Sequence, residues 1–246
     1  MGYHESLTEG RNAVLEAFRS GKTVDRLFVL DGCQDGPVKT ILREAKKQDT
    51  MVQYVKKERL DQLSETKNHQ GVIAYCAACE YAEVSDILEN AKKKGEAPFI
   101  VLLDGIEDPH NLGAIIRTAN QAGAHGVIIP KRRAVGLTAT VARTSAGAVN
   151  YTPVAKVTNL VTVMEDLKKE GMWFVCADMD GEEMYSLNLK GPIGLVIGNE
   201  GEGVSRLVKD HCDMVASIPM KGDIDSLNAS VAMGVLAYEI VRQRRF

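Results

Sequence analysis

The sequence predicts two successive α/β domains, a small one and then a larger one built on a mostly parallel sheet. Three observations lead there. Residues 1–76 alternate helix-like and strand-like patterns over short distances. From Pro98 onward the apolar runs become continuous, which suits strands covered by helices on both faces. Between them, residues 77–97 are polar and end in Lys92-Lys93-Lys94-Gly95-Glu96. Val84, Ile87, Leu88 and Ala91 keep helical spacing there, so 77–97 reads as a linker that becomes a short amphipathic helix. The expected domains are thus 1–76 and 98–246.

In order along the chain, Arg11–Arg19 reads as a helix with Val14, Leu15 and Phe18 on one face. A strand follows at 26–30 (RLFVL), a helix at 37–48, and strands at 51–55 and 72–75. In the second domain the apolar runs at 99–103, 126–129, 173–176, 193–197 and 214–218 are the expected strands. Helices are expected at 112–122, 138–146, 159–170, 205–210 and 228–242, the last with Val231, Val235, Tyr238 and Val241 on a buried-type stripe.

Bulk properties bound the function. The 246 residues are 45% hydrophobic and 26% charged, ordinary for a globular chain. No apolar run approaches the roughly 20 residues that span a bilayer, and the N-terminus lacks a basic segment followed by an apolar one. A soluble, cytoplasmic protein is the expectation. A formal charge of −3 argues against a non-specific nucleic-acid coat, so any RNA contact must come from local clusters. Lys56-Lys57-Arg59, Lys131-Arg132-Arg133 and Arg242-Arg244-Arg245 are the candidates, although a solvated face is the better reading of any one taken alone. Five scattered cysteines include one CxxC, Cys76 and Cys79, without a second pair at zinc-ligand spacing, so neither a metal nor a disulfide is expected.

Three segments put polar residues and glycines directly after apolar strands, where open parallel sheets bind ligands. In residues 104–124, Asn111 can cap a helix, and Arg117 stands among apolar helical residues where burial would demand an anionic partner. In 197–205 (IGNEGEGVS), three glycines permit close backbone approach, although a tight turn explains them equally well. The spacing fits neither a P-loop nor a dinucleotide fingerprint. In 218–230 (IPMKGDIDSLNAS), Ser226 and Asn228 precede the last helix and could simply cap it.

Together these segments resemble the three motifs of the SpoU/TrmH branch of the SPOUT RNA methyltransferases: NLGAIIRTANQAGA, VIGNEGEGVS and IPMKGDIDSLNASVAMGVLAYE. The first part, with EGRNAVLEA and NHQGVIA, is similar to the small RNA-binding domain of a ribosomal-protein (L30e-like) fold that precedes the catalytic domain in many members. The resemblance implies a C-terminal trefoil knot, a homodimer with sites near the subunit interface, and S-adenosylmethionine as methyl donor. It implies donor contacts at Gly198, Asn199, Ile218, Met220, Ser226 and Leu227, and RNA contacts at Arg11, Asn68, His69 and Gln70. The implied reaction is methylation of a ribose 2′-hydroxyl, with a guanosine of large-subunit (23S) ribosomal RNA as the nearest precedent.

Arg117, Asn111, Glu200 and Asn228 are then the candidate catalytic residues. An arginine is almost wholly protonated near neutral pH, so Arg117 suits a stabiliser of developing alkoxide charge and a phosphate grip better than a base. Asn111 and Asn228 would orient the ribose and Arg117, and Glu200 would fix the network. The competing readings are a transfer-RNA ribose methyltransferase, a non-catalytic RNA-binding ribosome-assembly factor, a nucleotide-dependent enzyme on a doubly wound sheet, and a purely structural Arg117 paired with a carboxylate such as Glu200.

Overall fold

A computed structural model describes residues 6–223 and 226–245. Ile224 and Asp225 of the third motif lie outside the described residues. The chain divides into two compact units, residues 1–80 with 136–139, and residues 81–135 with 140–246.

The first unit runs β1 (Ser6–Glu9), α1 (Arg11–Arg19), β2 (Val24–Leu30), α2 (Gly36–Lys47), β3 (Met51–Val55), α3 (Lys57–Leu63) and β4 (Val72–Cys76). Its four strands lie in the order β1-β4-β2-β3, antiparallel except for the β2–β3 pair. Strand alternation feeds two cores. Leu27 and Val29 of β2 pack with Val14 and Phe18 of α1 and Ile41 of α2, whereas Phe28 meets Leu60 of α3 and Ile73 on the other face. β1 and α3 are absent from the sequence-based expectations. β1 has only four residues, and α3 hides one buried leucine among charges, too little for either periodicity to register.

The second unit runs α4 (Val84–Lys94), β5 (Phe99–Asp104), α5 (Pro109–Gln121), β6 (Gly126–Pro130), α6 (Ala139–Thr144), β7 (Val154–Val157), α7 (Leu160–Lys169), β8 (Trp173–Glu183), β9 (Ile193–Gly198), α8 (Arg206–Lys209), β10 (Met214–Ser217) and α9 (Ala229–Arg245). Its six strands are all parallel in the order β10-β8-β9-β5-β6-β7. Both faces are covered, which explains the unbroken apolar runs. Ile100, Leu102 and Val196 face Ile87 of α4 and Met164 and Leu167 of α7, while α9 packs against α5 and β9. β7 was not expected; its four residues carry a lysine and begin just after a proline. Among the described residues no helix is long and apolar enough to cross a membrane.

One local expectation is corrected. Asn111 does not cap α5. The helix starts at Pro109, whose fixed φ suits a first turn, and Asp108 Oδ1 accepts the His110 N–H at 2.9 Å. That releases the Asn111 side chain for other bonds.

Candidate active site

The carboxyl ends of β5 and β9 and the start of α9 meet at one place. Asn111, 8% exposed in the first turn of α5, donates from Nδ2 to Glu200 Oε1. Asn228 donates from Nδ2 to Asn111 Oδ1 at 3.0 Å and to the same Glu200 oxygen at 3.4 Å. Its own Oδ1 accepts Ser230 N–H at 3.0 Å and Ser230 Oγ–H at 2.6 Å, so Asn228 caps α9 and joins the network at once. Glu200 Oε1 therefore receives two amide donors, while Oε2 has no hydrogen bond among the described residues.

The loop carrying Glu200 is fixed by its own sequence. Asn199 Oδ1 accepts the N–H groups of Gly201 and Glu202 at 2.9 and 2.7 Å, closing a tight turn. Gly198 has no alternative, because a Cβ there would overlap the Gly203 carbonyl carbon and the Val204 nitrogen. Asp104, at the end of β5, accepts Ser205 N–H at 2.8 Å and ties the far end of the loop to the central strand.

Beside this network lies a cavity of about 610 Å³. Its lining includes Gly198, Asn199, Ile218, Met220, Ser226 and Leu227, all six residues expected to contact a donor, together with Glu200. It also includes Asp178, Glu183 and Glu202 and, among the described residues, no Lys, Arg or His. Sequence reasoning missed these acids, although the run DMDGEE just after an apolar strand was a usable signal for Asp178 and Glu183. Three of these carboxylates, Glu183, Glu200 and Glu202, have no cationic partner among the described residues, which favours a positively charged ligand, opposes a nucleotide phosphate and removes the support for a nucleotide-dependent enzyme. The glycine-cradled, acid-lined pocket fits a molecule bearing a sulfonium and an ammonium.

Arg117 is not part of this network. It lies six residues beyond Asn111, which is about 9 Å along the helix and a third of a turn off its face. It is exposed, with no ion pair or hydrogen bond among the described residues. The expectation that it sits among apolar neighbours needing a buried counter-ion is thus corrected, because the apolar residues of α5 face inward and Arg117 faces out. The structural alternative, a pair with Glu200, is likewise not formed; Glu200 is occupied by the two asparagines.

In the first unit the expected RNA contacts divide. Arg11 is drawn inward, with Nη2 2.5 Å from Asp35 Oδ2 and Nε donating to the Gln70 carbonyl at 3.1 Å. His69 is 7% exposed; its Nδ1 accepts Gly71 N–H at 3.0 Å and its Nε2 faces Asp61 Oδ1 at 3.0 Å. Asn68 and Gln70 remain exposed. Glu9, not anticipated, holds the same loop: it accepts Ser64 Oγ–H at 2.5 Å, Glu65 N–H at 2.7 Å and both donors of Thr66.

A parallel six-stranded unit with an acid-lined cavity at its strand ends, preceded in the chain by a compact mixed-sheet unit, has the make-up of a two-unit enzyme that binds a cationic ligand. Residues 98–238 match the SpoU rRNA Methylase family, and residues 7–82 match the family of RNA 2'-O ribose methyltransferase substrate-binding domains. The chain belongs to the SpoU/TrmH family of RNA methyltransferases. It is 48% identical over 237 residues, 96% of this chain and 94% of the other, to the Bacillus subtilis (strain 168) protein YacO, whose name places it in the TrmH family of tRNA/rRNA methyltransferases. A Staphylococcus haemolyticus (strain JCSC1435) protein of the same family name is 46% identical over 236 residues, covering 96% of this chain and 94% of its own. Among solved structures, the SpoU methyltransferase AviRb from Streptomyces viridochromogenes, in complex with the cofactor AdoMet, aligns with TM-score 0.62 at 27% identity, covering 98% of this chain and 91% of that one. An AdoMet-bound rRNA methyltransferase from Sinorhizobium meliloti aligns with TM-score 0.60 at 25% identity, covering 96% and 86%.

Proposed function

We propose that this chain methylates a ribose 2′-hydroxyl of RNA with S-adenosylmethionine, its target a guanosine of large-subunit (23S) ribosomal RNA. One observation carries the reading: Glu200 belongs both to the Asn111–Asn228 network and to the wall of the acid-lined cavity. Donor and acceptor therefore have a common boundary. The bound donor supplies a methyl group on a sulfonium, an electrophile that needs no metal.

The remaining work falls to the chain. Asn111 and Asn228 fix the Glu200 carboxylate, whose free Oε2 orients the ribose hydroxyl by accepting its hydrogen bond. Arg117, without a partner among the described residues, holds an RNA phosphate through its planar fork and stabilises negative charge developing on the ribose oxygen. The proton leaves to that phosphate or to water. Asn68 and Gln70 meet RNA directly, while Arg11 and His69 brace the loop that presents them.

The reading includes residues 1–76 as the substrate-binding domain, the C-terminal trefoil knot, and a homodimer. The stripe expected to be buried on α9 is corrected: Met233, Leu236, Ala237 and Ile240 face inward, while Val231 and Tyr238 are 49% and 51% exposed and supply apolar surface that a second copy would cover.

The test is transfer of tritiated methyl from S-adenosylmethionine to ribosomal and transfer RNA taken from cells lacking this enzyme, followed by nucleoside mass spectrometry. Label in 2′-O-methylguanosine of large-subunit RNA is expected. Label on a base overturns the ribose assignment, label confined to transfer RNA overturns the target, and no transfer to any RNA favours the non-catalytic reading.

A further inference from the structure

β8 and β10 pair in two registers. Val215 stands opposite Cys176, but Ala216 stands opposite Glu182, so residues 177–181 bow out of the sheet. The bow presses back onto β10 at Gly181, where a Cβ would lie 2.5 Å from the Val215 carbonyl oxygen. Its residues Ala177, Asp178 and Met179 form one wall of the acid-lined cavity, and residues 199–203 form another. The second wall leads directly into α8, whose first turn is pinned to β5 through Asp104 and Ser205. The last residue of α8 reaches the bow: Lys209 Nζ lies 2.7 Å from Asp178 Oδ2, with the two side chains 30% and 23% exposed. Asp178 Oδ1 meanwhile accepts Asp180 N–H at 3.1 Å, which fixes the turn of the bow itself. Burial pushes the Asp178 carboxyl up, but its hydrogen bonds from Lys209 and the backbone prevail and hold it below its ordinary value. It is ionised at neutral pH and stays paired.

We propose that Asp178 and Lys209 form a clamp that sets the width of the donor cavity by tying its two walls together. Both are positioning residues, since the oxygens of Asp178 are already engaged and Lys209 does not line the cavity. The proposal rests on the reading that this cavity holds S-adenosylmethionine. Without the clamp the bow, which leaves the ladder with β10 between Cys176 and Glu182, is free to drift from the glycine turn, and the donor loses contacts on that side. Affinity for the donor falls, while the methyl transfer step at saturating donor is spared, because the Asn111–Glu200–Asn228 network is anchored elsewhere.

Full-length Asp178→Asn, Lys209→Met, the double variant and Lys209→Arg decide it, with S-adenosylhomocysteine titrated calorimetrically and single-turnover rates at saturating donor. Each single charge removal is expected to raise Kd about tenfold, and the double variant to be no weaker than the worse single. Lys209→Arg, which keeps the pair, stays within about twofold of wild type. Unchanged Kd in both singles, whatever happens to the melting temperature, overturns the clamp, as does simple additivity in the double variant. Ala232→Phe, which intrudes on the cavity from α9, separates this from the underlying reading. Undiminished S-adenosylhomocysteine binding in that variant overturns the donor assignment itself, and the clamp with it.

Discussion

The two units use the same kinds of polar residue to opposite ends. In the first, Glu9, Arg11 and His69 are consumed by the fold: each is tied to the 64–71 loop or to its flanking strand and helix. Lys67 and Gln70, both at positive φ, stay in that conformation because the surrounding bonds over-determine the loop. In the second unit, Asn111, Glu200 and Asn228 satisfy one another but, among the described residues, leave one carboxylate oxygen open and Arg117 without a partner. A polar motif that closes on itself braces; one that leaves an acceptor and a cation unspent has capacity for a ligand. The two buried histidines, one in each unit, show no such contrast. His69 and His125 each take a backbone N–H on Nδ1 and face a carboxylate with Nε2, and both are buried.

The largest effect that would break this contrast is at Arg117. Arg117→Ala should lower the single-turnover rate by about 10²–10³-fold, the scale of one lost charge-stabilising donor. Its melting temperature should stay near wild type, since no partner among the described residues is orphaned. Arg117→Lys keeps the charge but not the fork and should retain a trace of activity. A folded Arg117→Ala enzyme with near-normal turnover would sink the role given to this arginine.

Glu9 is the mirror experiment. Glu9→Ala removes the acceptor of four hydrogen bonds and should cost about 2 kcal/mol of stability, read from urea unfolding. RNA affinity should weaken with it, while calorimetry with S-adenosylhomocysteine should register no change. Altered donor binding would mean the two units are not separable in this way.

A third measurement concerns His125, which sits at the end of the sheet opposite the cavity. Burial, against the pull of Glu96, holds its pKa below the ordinary 6.5. The folded state therefore binds fewer protons than the unfolded one, and stability present above pH 6.5 is lost as the pH falls toward the lower folded value. The slope over that window should approach about 1.4 kcal/mol per pH unit, and His125→Gln should flatten it. An identical slope in wild type and variant would remove the histidine from the account.

The smallest effect sharpens the contrast from the other side. The Arg11–Asp35 pair is about a third exposed at Arg11 and more at Asp35, so Asp35→Asn, which keeps the cap on α2, should cost under about 1 kcal/mol in urea unfolding through the lost ion pair. A loss several times larger would make this pair a keystone of the loop.

Much of this molecule was legible without coordinates because the relevant signals are local. Continuous apolar runs marked five of the six parallel strands, and the glycines and asparagines after them marked the loops. The short elements β1, β7 and α3 carried too few residues for a period to appear. Sequence pattern alone assigned an open choice to Asn228, cap or site residue, and the coordinates give it both tasks. What only the tertiary structure decided are relations between distant segments. Asn111 meets Glu200 across 89 positions and Asn228 across 117, Arg117 faces out of the helix that carries Asn111, and a register shift between β8 and β10 brings Asp178 to Lys209. Periodicity reports which face of an element is apolar. It does not report which neighbour that face meets, because that depends on strand order and register, which the whole sheet fixes together.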